Sequence, residues 1–323
     1  MIFREERSEA VAQQLAAVWE RNYLANKRWV VMAEDIDVLE KRTKEGKPKA
    51  GLVVGAGPSL KKNLKDIDPS LYRIICCEKI SSKLVDMGII PEFVVALNAE
   101  PTDVRKWLEA VSRPGVTLIV PCGVDPEAIK GWKGHIQWVN AITPTGLHER
   151  VAHETHGALQ PMAIGSNAGT FGYVVAAEGF RLDPVAYIGL DFSFLTREEV
   201  TKRFIVGYYD NLKVDQARLK ELGIEPPVTK EGPLYSKEYN VLEMGDINGE
   251  TRWLDLGWFD MAQAFQERVR RMQDWYDTRT VNCTEGGINA SKYVDVMTLA
   301  EFNKLLREGY YEVSDNRVGD VRN

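Results

Sequence analysis

The stretch KAGLVVGAGPSL contains residues whose types and spacing suit the binding of an anion. Gly55 and Gly57 follow a short apolar run, and Pro58 and Ser59 come next. Glycines let another group approach the backbone closely, and proline is favoured at the first position of a helix. We therefore expect a strand, a tight turn and a helix N-terminus with Ser59 as its cap. In open α/β sheets, phosphate or carboxylate groups bind at this position.

The turn does not match either common nucleotide-binding pattern. No Gly-Lys-Ser/Thr follows it, which excludes a Walker A loop, and Leu60 stands where the G-x-G-x-x-G fingerprint has its third glycine. A tight strand-to-helix turn without a ligand is the alternative that the residues leave open.

Polar residues follow three further predicted strands. They are Asn98 with Glu100, then Asp191, then Thr284 with Glu285. The carboxyl ends of strands in a doubly wound sheet meet at one edge, so these residues are expected beside the glycine turn. Carboxylates placed there suit a ribose, a metal or a general base. The alternative is that each is a loop residue satisfied by its neighbours.

A further helix is predicted from Asn167 to Gly179. Its first turn carries Asn167 and Thr170, which would face any group bound at that helix N-terminus. No metal site is predicted, because His148 and His153 are one residue too far apart for a zinc-protease helix.

The order of elements predicts the fold class and the division of the chain. Apolar strand-like runs alternate with short amphipathic helices, which is typical of a Rossmann-like α/β fold with a mostly parallel sheet and helices on both faces. Residues 1–48 are interpreted as an N-terminal helical extension that breaks in LANKRW, and 49–323 as the Rossmann-like domain. Residues 195–250 are interpreted as an insertion, a lid or partner surface, that is partly helical near 211–222 and ends in a hairpin.

Composition narrows the classes of protein. The chain has 323 residues, a net charge of −6 and no long basic run, so nucleic acid is not an expected partner. No stretch reaches the roughly 18 apolar residues of a membrane span, and the first residues, MIFREERSEA, do not resemble a signal peptide. The four cysteines lack metal-type spacing, so we expect reduced thiols in a cytoplasmic protein.

Several segments together resemble a known family. In order, they are GAGPSL, MGIIPEFVVALNAEP, GSNAGTFGYVVAAEGF, YIGLDFSF, VNCTEGGI and MTLAEF. They resemble the MptE-like domain family, which includes archaeal 6-hydroxymethyl-dihydropterin diphosphokinases and the Maf (motility accessory factor) flagellin glycosyltransferases. The resemblance covers roughly residues 50–305, and the T-E-G-G stretch and the helical lead-in are closer to the Maf branch.

The resemblance implies a nucleotide-dependent transferase. On the Maf branch the cofactor would be a CMP-activated nonulosonic acid, and on the MptE branch ATP with Mg²⁺; the partner would be a small-molecule or protein acceptor. Gly55, Gly57, Pro58 and Ser59 would hold the donor phosphate. The nucleotide would contact Asn98, Asn167, Thr170 and Asp191, and the donor or acceptor side would be shaped by Thr284, Glu285, Gly286 and Gly287.

Asp191, Glu285 and Glu100 are the predicted catalytic residues, which would orient or deprotonate the acceptor. Asn98 departs from the family, which usually has Asp at this position in VVALNAE. Asn cannot ionise, so Glu100 would have to take its place. A nucleotide-binding accessory protein without catalysis is therefore a third reading of the sequence.

Overall fold

The computed structural model describes most of the chain. The described residues are 2–43, 49–99, 104–165, 167–200, 228–229, 232–233, 241–311 and 313–315. For residues 2–14, 42–43, 228–229, 232–233, 241, 255–256 and 314–315 the description is of the backbone alone. Glu100 and the predicted helix near 211–222 lie outside them.

The centre of the molecule is a nine-stranded sheet in which every neighbouring pair is parallel. Its strands are β1 Ala50–Val54, β2 Tyr72–Cys77, β3 Phe93–Val95, β4 Thr117–Pro121, β5 Ile136–Ala141, β6 Pro161–Met162, β8 Val185–Ile188, β13 Thr280–Asn282 and β14 Val294–Val296. Their order is β14-β13-β8-β1-β2-β3-β4-β5-β6.

Three antiparallel pairs lie outside this sheet. They are β7 Leu182–Asp183 with β15 Ser314–Asp315, β9 Val228–Thr229 with β10 Gly232–Pro233, and β11 Val241–Gly245 with β12 Thr251–Asp255.

Helices cover both faces of the sheet. They are α1 Ile2–Val30, α2 Ile36–Thr43, α3 Leu60–Asn63, α4 Glu78–Asp86, α5 Val104–Val111, α6 Pro126–Ile129, α7 Leu147–Glu154, α8 Ala168–Val174, α9 Leu256–Tyr276 and α10 Leu299–Arg307. Side chains of a strand alternate between the faces, so Leu52 and Val54 pack in one apolar cluster with α4 and α5, and Val53 packs in the other with α8 and α9. The prediction of a Rossmann-like α/β fold is confirmed.

The direction of the strand order changes at β1. The chain leaves β1 to form β2 through β6 on one side, whereas β8 and β13 lie on the other side. In doubly wound sheets, ligands bind in the crevice outside the carboxyl ends of the strands at such a switch point. The turn after β1 and the loop after β8 border this crevice.

The predicted break of the N-terminal helix in LANKRW is wrong. Helix α1 continues through this segment to Val30. The reason is a buried amide: Asn26 Nδ2 donates hydrogen bonds to the carbonyls of Cys122 and Val124, as Asn22 does to Ala99 and Gly123. These bonds hold α1 against the loops after β3 and β4.

The local predictions near the C-terminus hold. A hairpin with Asn248-Gly249 at its turn joins β11 to β12, and α10 begins with a capping box between Thr298 and Glu301.

All four cysteines are free and buried. Within the described residues, no helix combines the length and the apolarity of a membrane span.

Candidate functional site

The glycine turn lies directly against the loop that follows β8. Gly55 N–H donates to the Ile188 carbonyl at 2.9 Å, and Gly57 N–H donates to the Gly189 carbonyl at 2.8 Å. A Cβ atom at Gly55 would lie 2.4 Å from the Gly189 oxygen, and one at Gly57 would lie 2.7 Å from it. Only glycine permits this backbone contact, so the two glycines bring together the loops that border the switch point.

Asp191 binds the turn through both of its carboxylate oxygens. Oδ1 accepts from Ser59 N–H at 3.0 Å, and Oδ2 accepts from Ser59 Oγ at 2.8 Å. Both residues are buried. The sequence predicted Ser59 as the cap of α3. Its side chain does not cap this helix, because its hydroxyl donates to Asp191 instead.

The carboxyl group of Asp191 lies in a buried environment. Burial raises the pKa of its carboxyl to about 6, although the hydrogen bonds from Ser59 and the charge of Arg252 favour the ionised form. The carboxylate occupies the place beside the turn where an external anion was predicted, and it fixes the shape of the turn.

The loop after β13 closes the site on the other side of Asp191. Ile288 N–H donates to the Asp191 carbonyl at 3.0 Å, and a Cβ atom at Gly287 would lie 2.5 Å from Asp191 Cα. Glu285 has a left-handed backbone with φ of 57°, which is strained for a residue with a side chain. Its carbonyl accepts from Lys62 Nζ at 2.9 Å and from Asn248 Nδ2 at 3.2 Å.

Unpaired polar atoms lie beneath this loop. Asn63 Nδ2 donates to the carbonyls of Cys283 and Thr284, at 2.8 and 3.2 Å. Asn63 Oδ1 and Thr284 Oγ1 are buried and have no hydrogen-bond partner among the described residues. Buried polar atoms are normally paired, so these two atoms leave hydrogen-bonding capacity unused beneath the loop.

The hairpin β11–β12 places an arginine, Arg252, at the site. The sequence analysis did not identify this residue. Arg252 is buried and donates to Asp246 from Nε at 2.8 Å and to Glu250 from Nη2 at 2.8 Å. A Cβ atom at Gly286 would lie 3.3 Å from both Arg252 Nη2 and Ser59 Cβ, so the guanidinium lies close to the turn. Burial raises the pKa of Asp246, but its hydrogen bonds, chiefly that from Arg252, outweigh burial and hold it below the ordinary value. The hairpin was predicted, but nothing in the sequence indicated which of its side chains reaches the sheet.

Asn167 and Thr170 lie near the site but satisfy each other. Asn167 Oδ1 accepts from Thr170 N–H at 3.0 Å, and Thr170 Oγ1 accepts from Asn167 N–H at 3.2 Å, which is a capping box at the start of α8. A Cβ atom at Gly169 would lie 2.1 Å from Leu190 Cδ2, so this helix start packs on the residue before Asp191.

Asn98 lies farther along the same sheet edge. It follows β3, and its Nδ2 is 3.5 Å from Oε1 of Glu78, the residue directly after β2. The sequence analysis did not single out Glu78. The structure thus gathers the glycine turn, Asp191 and residues 284–287 at the switch point, and it places Asn98 two strands away.

A groove of about 740 Å³ lies elsewhere, between the end of α1 and the segment from α6 to β5. Trp29, Trp132 and Trp138 line it, and none of its lining residues belongs to the predicted site. Among the described residues, no three His, Cys, Asp or Glu side chains are grouped closely enough to hold a metal ion.

The fold and the arrangement of loops at the switch point define a Rossmann-like α/β protein. A family model described as "6-hydroxymethylpterin diphosphokinase MptE-like" matches residues 21–197, which is more than half of the chain. The chain belongs to the MptE-like family, and the predicted resemblance is confirmed. The matched range includes the glycine turn and Asp191, whereas the hairpin and residues 284–287 lie beyond it.

A solved structure has the same overall fold. It is the MAf glycosyltransferase from Magnetospirillum magneticum AMB-1, with a TM-score of 0.50 and 14% sequence identity. The match covers 89% of this chain and 42% of that protein, so this chain spans less than half of its length. No curated protein matches the chain. The description of the matched family supports a transferase-like role, and the solved structure shows the shared fold.

Proposed function

We propose that the chain is a nucleotide-dependent transferase whose donor phosphate binds in the crevice between the ends of β1 and β8. The observation that carries this proposal is the buried guanidinium of Arg252 beside the turn that Ser59 and Asp191 hold. Although its Nε and Nη2 pair with Asp246 and Glu250, its charge lies beside the turn, and a guanidinium is a group that suits phosphate oxygens.

We propose that the phosphate lies beside the turn and not in the position that Asp191 occupies. Both oxygens of Asp191 are bonded to Ser59, so we propose that Asp191 positions the turn rather than contacts the acceptor. Lys62, on the helix after the turn, holds the Glu285 carbonyl and adds positive charge. Arg252 and Lys62 would then stabilise the negative charge that develops on the leaving phosphate.

The leading version is glycosyl transfer from a CMP-nonulosonate type of donor to a small-molecule or protein acceptor. The acceptor oxygen forms a bond to the anomeric carbon, the bond from that carbon to the CMP phosphate oxygen breaks, and its electron pair stays on the phosphate. The acceptor proton passes to a carboxylate, for which we propose Glu285 or Glu100. The glycosyltransferase name of the structural neighbour is in keeping with this version.

The description of the matched family favours a second version, a diphosphokinase. MgATP would be the substrate. The hydroxymethyl oxygen of a pterin-like molecule would bond to the β-phosphorus, the bond from that phosphorus to the α-phosphate oxygen would break, AMP would leave with the electron pair, and the hydroxyl proton would pass to a carboxylate. Catalysis would then depend mainly on positioning and on neutralising the phosphate charge. Arg252 and Lys62 are again the residues that we propose for neutralising this charge. For either version we propose a cytoplasmic location, since free buried thiols are typical of a reducing compartment.

Thermal unfolding with CMP, CDP, UDP, GDP and ATP, each with Mg²⁺ or with EDTA, tests the proposal. A nucleotide at about 100 times its dissociation constant adds roughly 2.7 kcal/mol, which moves the midpoint by several degrees. A shift with CMP in EDTA supports glycosyl transfer, and a shift only with ATP and Mg²⁺ supports the diphosphokinase. Binding without product on incubation with CMP-nonulosonates or with ATP and a hydroxymethylpterin indicates an accessory protein. No shift with any nucleotide contradicts the proposal.

A further inference from the structure

Glu78 occupies a distinctive position at the edge of the sheet. It directly follows β2, the strand that pairs with β1, and it is the first residue of α4. The register pairs Val54 with Cys76, so Glu78 lies beside the beginning of the glycine turn on the neighbouring strand. It also follows Gly57 by about 20 residues. In dinucleotide-binding folds with the G-x-G-x-x-G fingerprint, which this turn lacks, a carboxylate at this distance from the glycines binds the ribose.

The carboxyl group of Glu78 is poorly satisfied. The residue is only 7% exposed, Oε1 has Asn98 Nδ2 at 3.5 Å, and Oε2 has no hydrogen-bond partner among the described residues. Burial raises the pKa of this carboxyl to about 7. The ionisable groups that interact with it are Lys79 and the thiols of Cys76 and Cys77. A buried carboxyl with an unused acceptor is unfavourable unless a ligand donates to it.

We propose that Glu78 accepts hydrogen bonds from the ribose hydroxyls of the nucleotide whose phosphate lies at the glycine turn, with Asn98 beside it. This assignment rests on the proposed function and specifies a ribonucleotide. Neighbouring strands lie about 4.8 Å apart, so the end of β2 is within reach of the ribose of a nucleotide whose phosphate lies at the end of β1. Oε2 is covered in the structure, so the assignment requires a rotamer change of Glu78, which is common for side chains on binding.

Equilibrium titration with matched ribonucleotides and 2′-deoxyribonucleotides tests the assignment. The probes are CMP against 2′-deoxy-CMP and ATP against 2′-deoxy-ATP, both with Mg²⁺ present. For the pair that binds, we expect the wild-type protein to prefer the ribonucleotide by roughly tenfold or more, the contribution of one hydrogen bond to a charged group. Glu78→Ala should bind both members of that pair equally, because the acceptor is gone.

Two more variants keep the test independent of folding. Glu78→Gln retains an acceptor oxygen without charge, so it should keep a reduced preference. Glu109→Gln changes an exposed glutamate on α5 and should keep the full preference. A wild-type preference below about twofold, or an unchanged preference in Glu78→Ala, overturns the assignment and leaves the proposed function standing. Binding of neither pair overturns the assignment, and it overturns the proposed function as well if CDP, UDP and GDP also give no thermal shift.

Discussion

At the scale of single residues, a protein carboxylate holds the glycine turn. Asp191 accepts two hydrogen bonds from Ser59, and the backbone of Gly57 bonds to Gly189. The turn therefore has its shape before any ligand arrives, which lowers the entropy cost of binding. This gives Ser59 and Asp191 a role in positioning the site.

Replacing Ser59 with Ala should destabilise the protein by about 1–3 kcal/mol, because it leaves Oδ2 of the buried Asp191 carboxylate without its partner. Urea unfolding measures the change. Ser70→Ala is the matched control, since Ser70 Oγ donates to Asp68 in the same way but at an exposed site. It should change stability by less than about 0.5 kcal/mol. Equal effects of the two variants would show that the Ser59 bond is not special.

Glu78 should make stability depend on pH. Its pKa is raised from 4.5 to about 7 in the folded state, so the folded protein binds this proton more tightly than the unfolded chain. Its ionisation therefore lowers the free energy of unfolding as the pH rises from about 4.5 to about 7. Glu78→Gln removes this loss, and its stability relative to wild type should rise between pH 5 and pH 8 by on the order of 3 kcal/mol at most.

Chemical denaturation at the two pH values measures this difference. Asp191 titrates in both proteins, so its contribution cancels. Glu109→Gln makes the same substitution at an exposed glutamate and is the control for the chemical change itself. A pH-independent difference for Glu78→Gln would mean that Glu78 has an ordinary pKa.

At the scale of elements, the start of α8 tests whether Asn167 is a helix cap or a contact to the nucleotide. The sequence assigns Asn167 to the nucleotide, but its Oδ1 accepts from Thr170 N–H. We expect Asn167→Ala to reduce stability by about 1 kcal/mol, as loss of a cap does, and to leave nucleotide affinity within about threefold. Thr298→Ala, which removes the capping box of α10, is the control for a purely structural loss. A large drop in affinity for Asn167→Ala alone would restore Asn167 to the binding site.

The hairpin β11–β12 is the element that brings Arg252 to the turn. Arg252→Lys keeps the charge but cannot reproduce the forked contacts with Asp246 and Glu250. We expect CMP or MgATP to bind about tenfold more weakly, as measured by titration, because one charge-assisted bond is lost. Arg270→Lys, on the exposed face of α9, should leave affinity unchanged. Unchanged affinity in Arg252→Lys would assign the arginine to hairpin stability alone.

At the scale of the whole molecule, the parallel sheet and the edge that carries the candidate site could be predicted because they follow from local patterns. Strand runs and helical runs alternate, and the carboxyl ends of parallel strands must meet. The bond between Ser59 and Asp191 could not be predicted, since it joins residues 132 positions apart through tertiary packing. Arg252 comes from a hairpin whose contact with the sheet no periodicity reveals.

The sequence analysis was wrong about the continuity of α1 and missed the strand β14, each for a physical reason. The segment LANKRW contains polar residues that favour a break, but the buried bonds of Asn26 keep α1 continuous. The edge strand β14, Val294–Val296, was not predicted, because it is short and two of its residues are exposed.

Backbone hydrogen exchange with and without nucleotide tests the central claim most directly. With CMP, or with MgATP, at saturating concentration, we expect added protection in residues 55–63, 189–193 and 284–288, which form the crevice at the switch point. We expect no change in 25–39 and 126–138, which border the groove that Trp29 and Trp132 line. Protection confined to that groove, with the glycine turn unaffected, would contradict the placement of the nucleotide between β1 and β8.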